Sequence, residues 1–207
     1  MSALPQETLV SDDEFWALVE QSEQKLEHIG GRVYAMAQGG YIHSRLIVRL
    51  NAMLDNALFD GKCATTGSEF LVEVESTGDK MVPDAAVHCE GPRFGGKDGR
   101  TLLNPIFLAE VLSPTTQAYD RSDKFDRYSH IPSLQDYLLV WAQYVKVAHY
   151  TRVENGWFLR SYFEHSDVVR LPSIGVELPL KRLYGGLDVP LQLLLFPAPE
   201  DQTPDDD

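Results

Sequence analysis

Apolar residues recur at three and four spacing through Ile42, Leu46, Ile47, Leu50, Met53, Leu54 and Leu58. That periodicity predicts one face of an α-helix several turns long, and Gly39-Gly40 breaks the chain just before it. Upstream, Ser11-Asp12-Asp13-Glu14 has the pattern of a capping box, with Phe15, Leu18 and Val19 forming the apolar side of a short helix. Segments 24–28 and 32–37 flank Gly30-Gly31, a pair suited to a two-residue hairpin turn.

The period then changes. Phe70, Val72 and Val74 alternate with Glu69, Leu71, Glu73 and Glu75, which predicts a strand with one mostly acidic face. A strand running into Asp84 follows and continues over 84–88, and the Gly- and Pro-rich stretch 91–99 predicts a loop. Residues 106–112, apolar apart from Glu110, are expected to be the central buried strand, ended by Ser113-Pro114. Segment 122–130 predicts a helix stopped by Pro132. Strands are expected over 136–140, 144–151 and 157–163, with a turn at 153–156, then a later antiparallel segment and an acidic tail, 200–207, expected to be disordered. There is no internal repeat. The order predicts an α+β fold in one domain over 1–199: a mixed β-sheet core, the long helix packed on one face, and additional antiparallel strands.

Composition narrows the classes. At 207 residues and 43% apolar content the chain can bury one substantial core. No apolar run reaches the roughly 20 residues of a membrane span, and the opening ten residues lack the basic and apolar regions of a signal peptide, so a cytoplasmic protein with no membrane partner is expected. Cys63 and Cys89 lie far apart without metal-ligand spacing and are expected to be buried free thiols, neither a zinc site nor a disulfide framework. The net charge of −13 argues against tight nonspecific binding to nucleic acid, since affinity for phosphate comes mainly from clustered Lys and Arg. Five acids of the tail contribute to it, but the remainder is still acidic.

Candidate chemistry centres on Val82-Pro83-Asp84 and on Ile106-Phe107-Leu108-Ala109-Glu110, which place two carboxylates on neighbouring buried strands. A carboxylate among Phe107, Leu108, Val111 and Leu112 is costly to desolvate and needs a cation or hydrogen bonds. A shared divalent metal is one solution. Hard oxygen ligands suit Mg²⁺ or Mn²⁺, which can supply a bound water as nucleophile, so metal-assisted phosphodiester hydrolysis is the first reading. Against it, Asp84 could simply cap the turn after Pro83, and Glu110 could pair with an Arg or Lys.

The motifs Leu26-Glu27-His28-Ile29-Gly30-Gly31-Arg32-Val33-Tyr34, His43, Val82-Pro83-Asp84, Glu110-Val111-Leu112-Ser113-Pro114-Thr115-Thr116, Tyr119 to Tyr128 and Ile131 to Val140 occur in one order. Over roughly residues 10–185 this resembles the bacterial Uma-type restriction-endonuclease family of the PD-(D/E)XK nuclease superfamily. The resemblance implies a restriction-endonuclease-like core in which Asp84 and Glu110 ligate Mg²⁺ or Mn²⁺, with Glu27 a third acid and DNA the substrate. The superfamily's usual lysine two residues after the second acid is here Leu112. Lys124 matches a family lysine on the following helix and could take its place; alternatively it is a solvated residue paired with Asp120 or Asp123. His43 could bind a site carboxylate or the phosphate, or serve only in packing. Glu27 could be a surface acid paired with Arg32, and Tyr128 could pack on the Lys124 stem. Trp141 stands where relatives have a polar residue, and as an exposed aromatic it could serve an oligomer contact. A homodimer is expected on the ground that two strands are cut by two sites. The alternative is a catalytically inactive nuclease-fold module acting in protein interaction or nucleic-acid binding.

Overall fold

In the computed structural model, residues 2–3, 9–36, 39–89, 91–113 and 123–191 are described; the acidic tail lies outside them. The first helix, α1 (Asp12–Gln21), begins where expected. The Ser11 hydroxyl accepts from the Glu14 N–H, and the Glu14 carboxylate accepts from the Ser11 N–H at 2.8 Å, closing the capping box. Strands β2 (Leu26–Ile29) and β3 (Arg32–Ala35) follow as a hairpin, with Gly30 and Gly31 at φ 56° and 72°, the left-handed values a two-residue turn requires. The long helix α2 (Tyr41–Leu58) buries Leu46, Leu50, Met53, Leu54 and Leu58, the stripe its spacing predicts.

Six strands form a mixed sheet. From one edge to the other they are β13 (Gly156–Tyr162), β12 (Val147–Val153), β11 (Asp136–Trp141), β10 (Phe107–Leu112), β7 (Ala85–Cys89) and β4 (Cys63–Gly67). Only β10 and β11 run parallel, and the chain between them includes the short helix Phe125–Ser129, as a parallel crossover demands. Alternation along β10 divides the interior. Phe107, Ala109 and Val111 meet α2, the hairpin of β14 (Val168–Leu171) and β15 (Val176–Pro179), and the short helix Leu180–Tyr184. Leu108 and Leu112 meet Val72, Val74 and Met81 of a second sheet, together with Tyr128 and Tyr137.

That second sheet has seven strands, ordered β1 (Ser2–Ala3), β3, β2, β6 (Asp79–Met81), β5 (Leu71–Val74), β9 (Thr101–Leu102) and β8 (Phe94–Gly95). The α+β class holds: the six-stranded sheet is the mixed core with α2 on one face, and the second sheet packs on its other face. Strand β8 lies inside the stretch expected to be only a loop, and β4 is an unpredicted strand. Two side-chain expectations fail outright. Trp141 is buried at 2% exposure, its ring stacked near Tyr144, so it is no exposed oligomer contact. Cys63 and Cys89 are joined in a disulfide, because the β4–β7 register sets the two residues directly opposite each other.

Candidate active site

The two sheets meet at a cluster of buried charges. Glu27 projects from β2, a strand flanked by β3 and β6 with all four residues buried, and is fully inaccessible. Its Oε1 accepts from the Val82 N–H at 2.9 Å and lies 2.9 Å from the Lys124 ammonium. Lys124 also donates to Glu110 Oε1 and to the Val82 carbonyl, both at 3.1 Å. An ammonium has three protons, so these three acceptors explain how a lysine survives at 2% exposure. Neither the surface pairing of Glu27 with Arg32 nor a solvated Lys124 describes the molecule.

Lys124 owes its place to its helix. It already has helical backbone angles, φ −66° and ψ −46°, and one turn later Arg127 reaches Asp79 at 2.5 Å. Asp79 is itself buried and accepts from the Gly30 N–H at 2.7 Å and the Thr77 hydroxyl at 2.8 Å. Burial would raise its carboxyl; the three donors outweigh that and hold it below the ordinary 3.8. The same acid thus ties the β2–β3 turn to the helix that delivers the lysine. Leu112, where the superfamily lysine would stand, is fully buried in the intersheet core.

Asp84 sits one step beyond the last pair of the β7–β10 ladder, Ala85↔Ala109, so that its backbone N–H donates to Ala109 O at 3.0 Å. Its Oδ2 accepts from the Val111 N–H at 2.7 Å, which brings the carboxylate alongside the backbone that carries Glu110. His43 Nε2 lies 3.9 Å from the same oxygen. Burial pushes the Asp84 carboxyl above its ordinary 3.8, and the Val111 N–H, His43, Lys124 and Lys25 only partly offset the rise. From α2, the Asn51 amide donates to Asp84 O at 2.9 Å and to Ile47 O at 2.9 Å. Sequence reasoning missed Asn51; its signal was a polar residue at a position that continues the apolar face after Ile47.

Asp84 opens onto a cavity of about 500 Å³ that Lys25, His43, Ser44 and Ser68 also line. The His43 ring fills the space where a Cβ on Gly39 would lie, so a side chain at that position would displace it. Glu27, Glu110 and Lys124 thus gather where the two sheets meet, whereas Asp84 and His43 lie together at the cavity beside α2. The oxygen ligands among them are the Glu27, Asp84 and Glu110 carboxylates, hard donors of the kind that Mg²⁺ and Mn²⁺ take. Glu27 Oε2 is buried with no hydrogen-bond partner, and ionised Asp84 is disfavoured by burial; both observations fit an added positive charge. Among the described residues no three His, Cys, Asp or Glu side chains group as metal ligands. Magnesium does not require three, since it commonly takes one or two carboxylates and keeps several waters.

Comparison with known proteins places the chain among relatives and supports its fold. An uncharacterized protein of Synechocystis sp., slr1290, is 36% identical over 178 residues, covering 86% of this chain and 93% of the relative. A second from the same organism, sll1609, is 31% identical over 141 residues, covering 68% and 80%. The crystal structure of a "putative nuclease" from Anabaena variabilis shares the fold, with a TM-score of 0.69 at 20% identity over 84% of this chain and 97% of that one. No helix among the described residues is long and apolar enough to cross a membrane. The family model described as "Putative restriction endonuclease" matches residues 12–181, and the chain accordingly belongs to the Uma2 family, with a restriction-endonuclease-like α+β fold.

Proposed function

We propose that this protein is a Mg²⁺- or Mn²⁺-dependent endonuclease that hydrolyses DNA phosphodiester bonds in the cytoplasm. The observation that carries the reading is the buried Glu27–Lys124–Glu110 cluster, next to whose backbone Asp84 is held while opening onto a cavity that it shares with His43. Asp84 and Glu110 would hold the ion. A divalent cation bound there supplies a water of lowered pKa and neutralises charge on the scissile phosphate. The chain does the remainder. Lys124 holds the Glu27 and Glu110 carboxylates in fixed orientation, the Val111 N–H fixes Asp84, and His43, Lys25, Ser44 and Ser68 offer donors to a phosphate entering the cavity. A homodimer would bring two such centres to the two strands of a duplex.

The test joins binding and cleavage. Millimolar Mg²⁺ or Mn²⁺ should raise the wild-type Tm by mass action and support cleavage of DNA at low salt, and Glu110→Ala should abolish both effects together. An unchanged melting curve with no cleavage of single- or double-stranded DNA removes the nuclease reading. It would favour the second one, an inactive nuclease-fold module in protein interaction or nucleic-acid binding. Two observations favour that alternative: the three Lys124 acceptors already occupy its ammonium, and the net charge is −13.

A further inference from the structure

A second polar concavity shares no lining residue with the Asp84 cavity. On the α2 side of the six-stranded sheet, β13 presents Phe158, Arg160 and Tyr162 in alternation, and the register sets Thr151 opposite Phe158 and His149 opposite Arg160. With Arg170 of β14 these residues line a cavity of about 190 Å³. Its position is set by Asp136, which opens β11 opposite Phe107, whereas Glu110 pairs three residues further along with Leu139.

The lining is built rather than incidental. His149 is buried at 4% exposure, its Nε2 held 2.6 Å from Asp136 Oδ1, and Asp136 also takes the Ser173 hydroxyl and the Ser173 N–H. The Arg160 guanidinium lies over the Tyr162 ring, 6.0 Å from its centroid, and Arg170 makes a solvent-exposed pair with Glu177, the kind of contact that an incoming anion displaces readily. Phe158 is 59% exposed beside this charge. Two guanidinium groups at a pocket of so acidic a chain select an anion. An exposed aromatic alternating with arginine on an open sheet face is the arrangement that stacks a base and holds its phosphate. The volume is below the roughly 300 Å³ of a pocket that encloses a small molecule, so it accommodates a phosphate while the base lies outside, over Phe158.

We propose that the Phe158–Arg160–Arg170 face binds a nucleotide unit, its phosphate at the arginines and its base on Phe158, independently of the Asp84–Glu110 centre. The unit could belong to a single strand or be a free nucleotide, and the assay separates them. A fluorescein-labelled oligothymidylate of about 12 nucleotides is titrated with the full chain in EDTA at about 20 mM salt, read by fluorescence anisotropy. Without metal no hydrolysis occurs, so failure of the nuclease reading leaves this result untouched. Phe158→Ala and Arg160→Gln, both at exposed strand positions and checked for an unchanged circular dichroism melt, should each weaken binding about five- to fiftyfold. Arg93→Gln, at an exposed position beside β8 of the other sheet, should not. Competition by a nucleoside monophosphate identifies a free nucleotide as ligand; its failure beside intact oligomer binding identifies a strand. Either supports the proposal. Absence of oligomer binding by the wild type, binding unchanged in the Phe158→Ala/Arg160→Gln double variant, or displacement by inorganic phosphate as effective as by the monophosphate, would overturn it.

Discussion

Asp84 carries a cost that its neighbours only partly relieve. Because its carboxyl is raised in the folded chain, the fold holds this proton to higher pH than the unfolded chain does. Its contribution is therefore favourable near and below the ordinary 3.8 and is lost as pH rises through the folded value, above which the buried anion is a burden. Asp84→Asn should stabilise the metal-free protein at neutral pH by on the order of 1 kcal/mol, the gain vanishing toward pH 3, as checked by urea denaturation across that range. No gain at neutral pH would mean that an existing partner already compensates the charge. Lys124 makes the opposite case. Replacing it by Met leaves Glu27 and Glu110 buried without their shared ammonium, and should cost about 3–5 kcal/mol with or without added metal. A double-mutant cycle with Glu27→Gln should recover part of that loss if the pairing, rather than the lysine's bulk, is responsible.

At the level of elements, positions and roles separate. Periodicity locates α1, α2, the Gly30-Gly31 hairpin and β10 because each is specified within its own window. Strand β4 escapes it: Cys63-Ala64-Thr65-Thr66-Gly67 has no large apolar alternation and is a strand only because β7 pairs with it. The same blindness to distant partners explains the cysteines. Glu110 and Asp84 stand out locally as acids in apolar runs, whereas the burial of Glu27 follows from β6 lying beside β2, a neighbour far away in the chain. The short helix that presents Lys124 depends likewise on a distant acid. Arg127→Ala should cost about 1–3 kcal/mol at neutral pH. Since the Asp79 carboxyl is depressed in the fold, its stabilisation is present above 3.8 and lost as pH falls through the folded value. Denaturation curves of wild type and variant should therefore converge in acid; parallel curves would assign the loss to packing instead.

Across the whole molecule, the disulfide sits uneasily with the expected compartment, because cytosolic thiols are kept reduced. The Cys63–Cys89 link staples edge strand β4 to β7, whose start carries Asp84. Thiol titration of the denatured chain should therefore find no free thiol, and reductant should destabilise the wild type by about 2–4 kcal/mol while leaving Cys63→Ser unaffected. Two free thiols and an unchanged melt would restore the reduced pair expected from the sequence.

The Lys124 bridge has a further consequence for the life of the chain. It joins an acid from one sheet to an acid from the other, so neither sheet alone owns the centre. A chain whose two sheets are undocked has Glu27 and Glu110 on separate surfaces, so the chemistry proposed for them requires both sheets packed together. Were the proposed cleavage of DNA its activity, assembly itself would then serve as the safety catch.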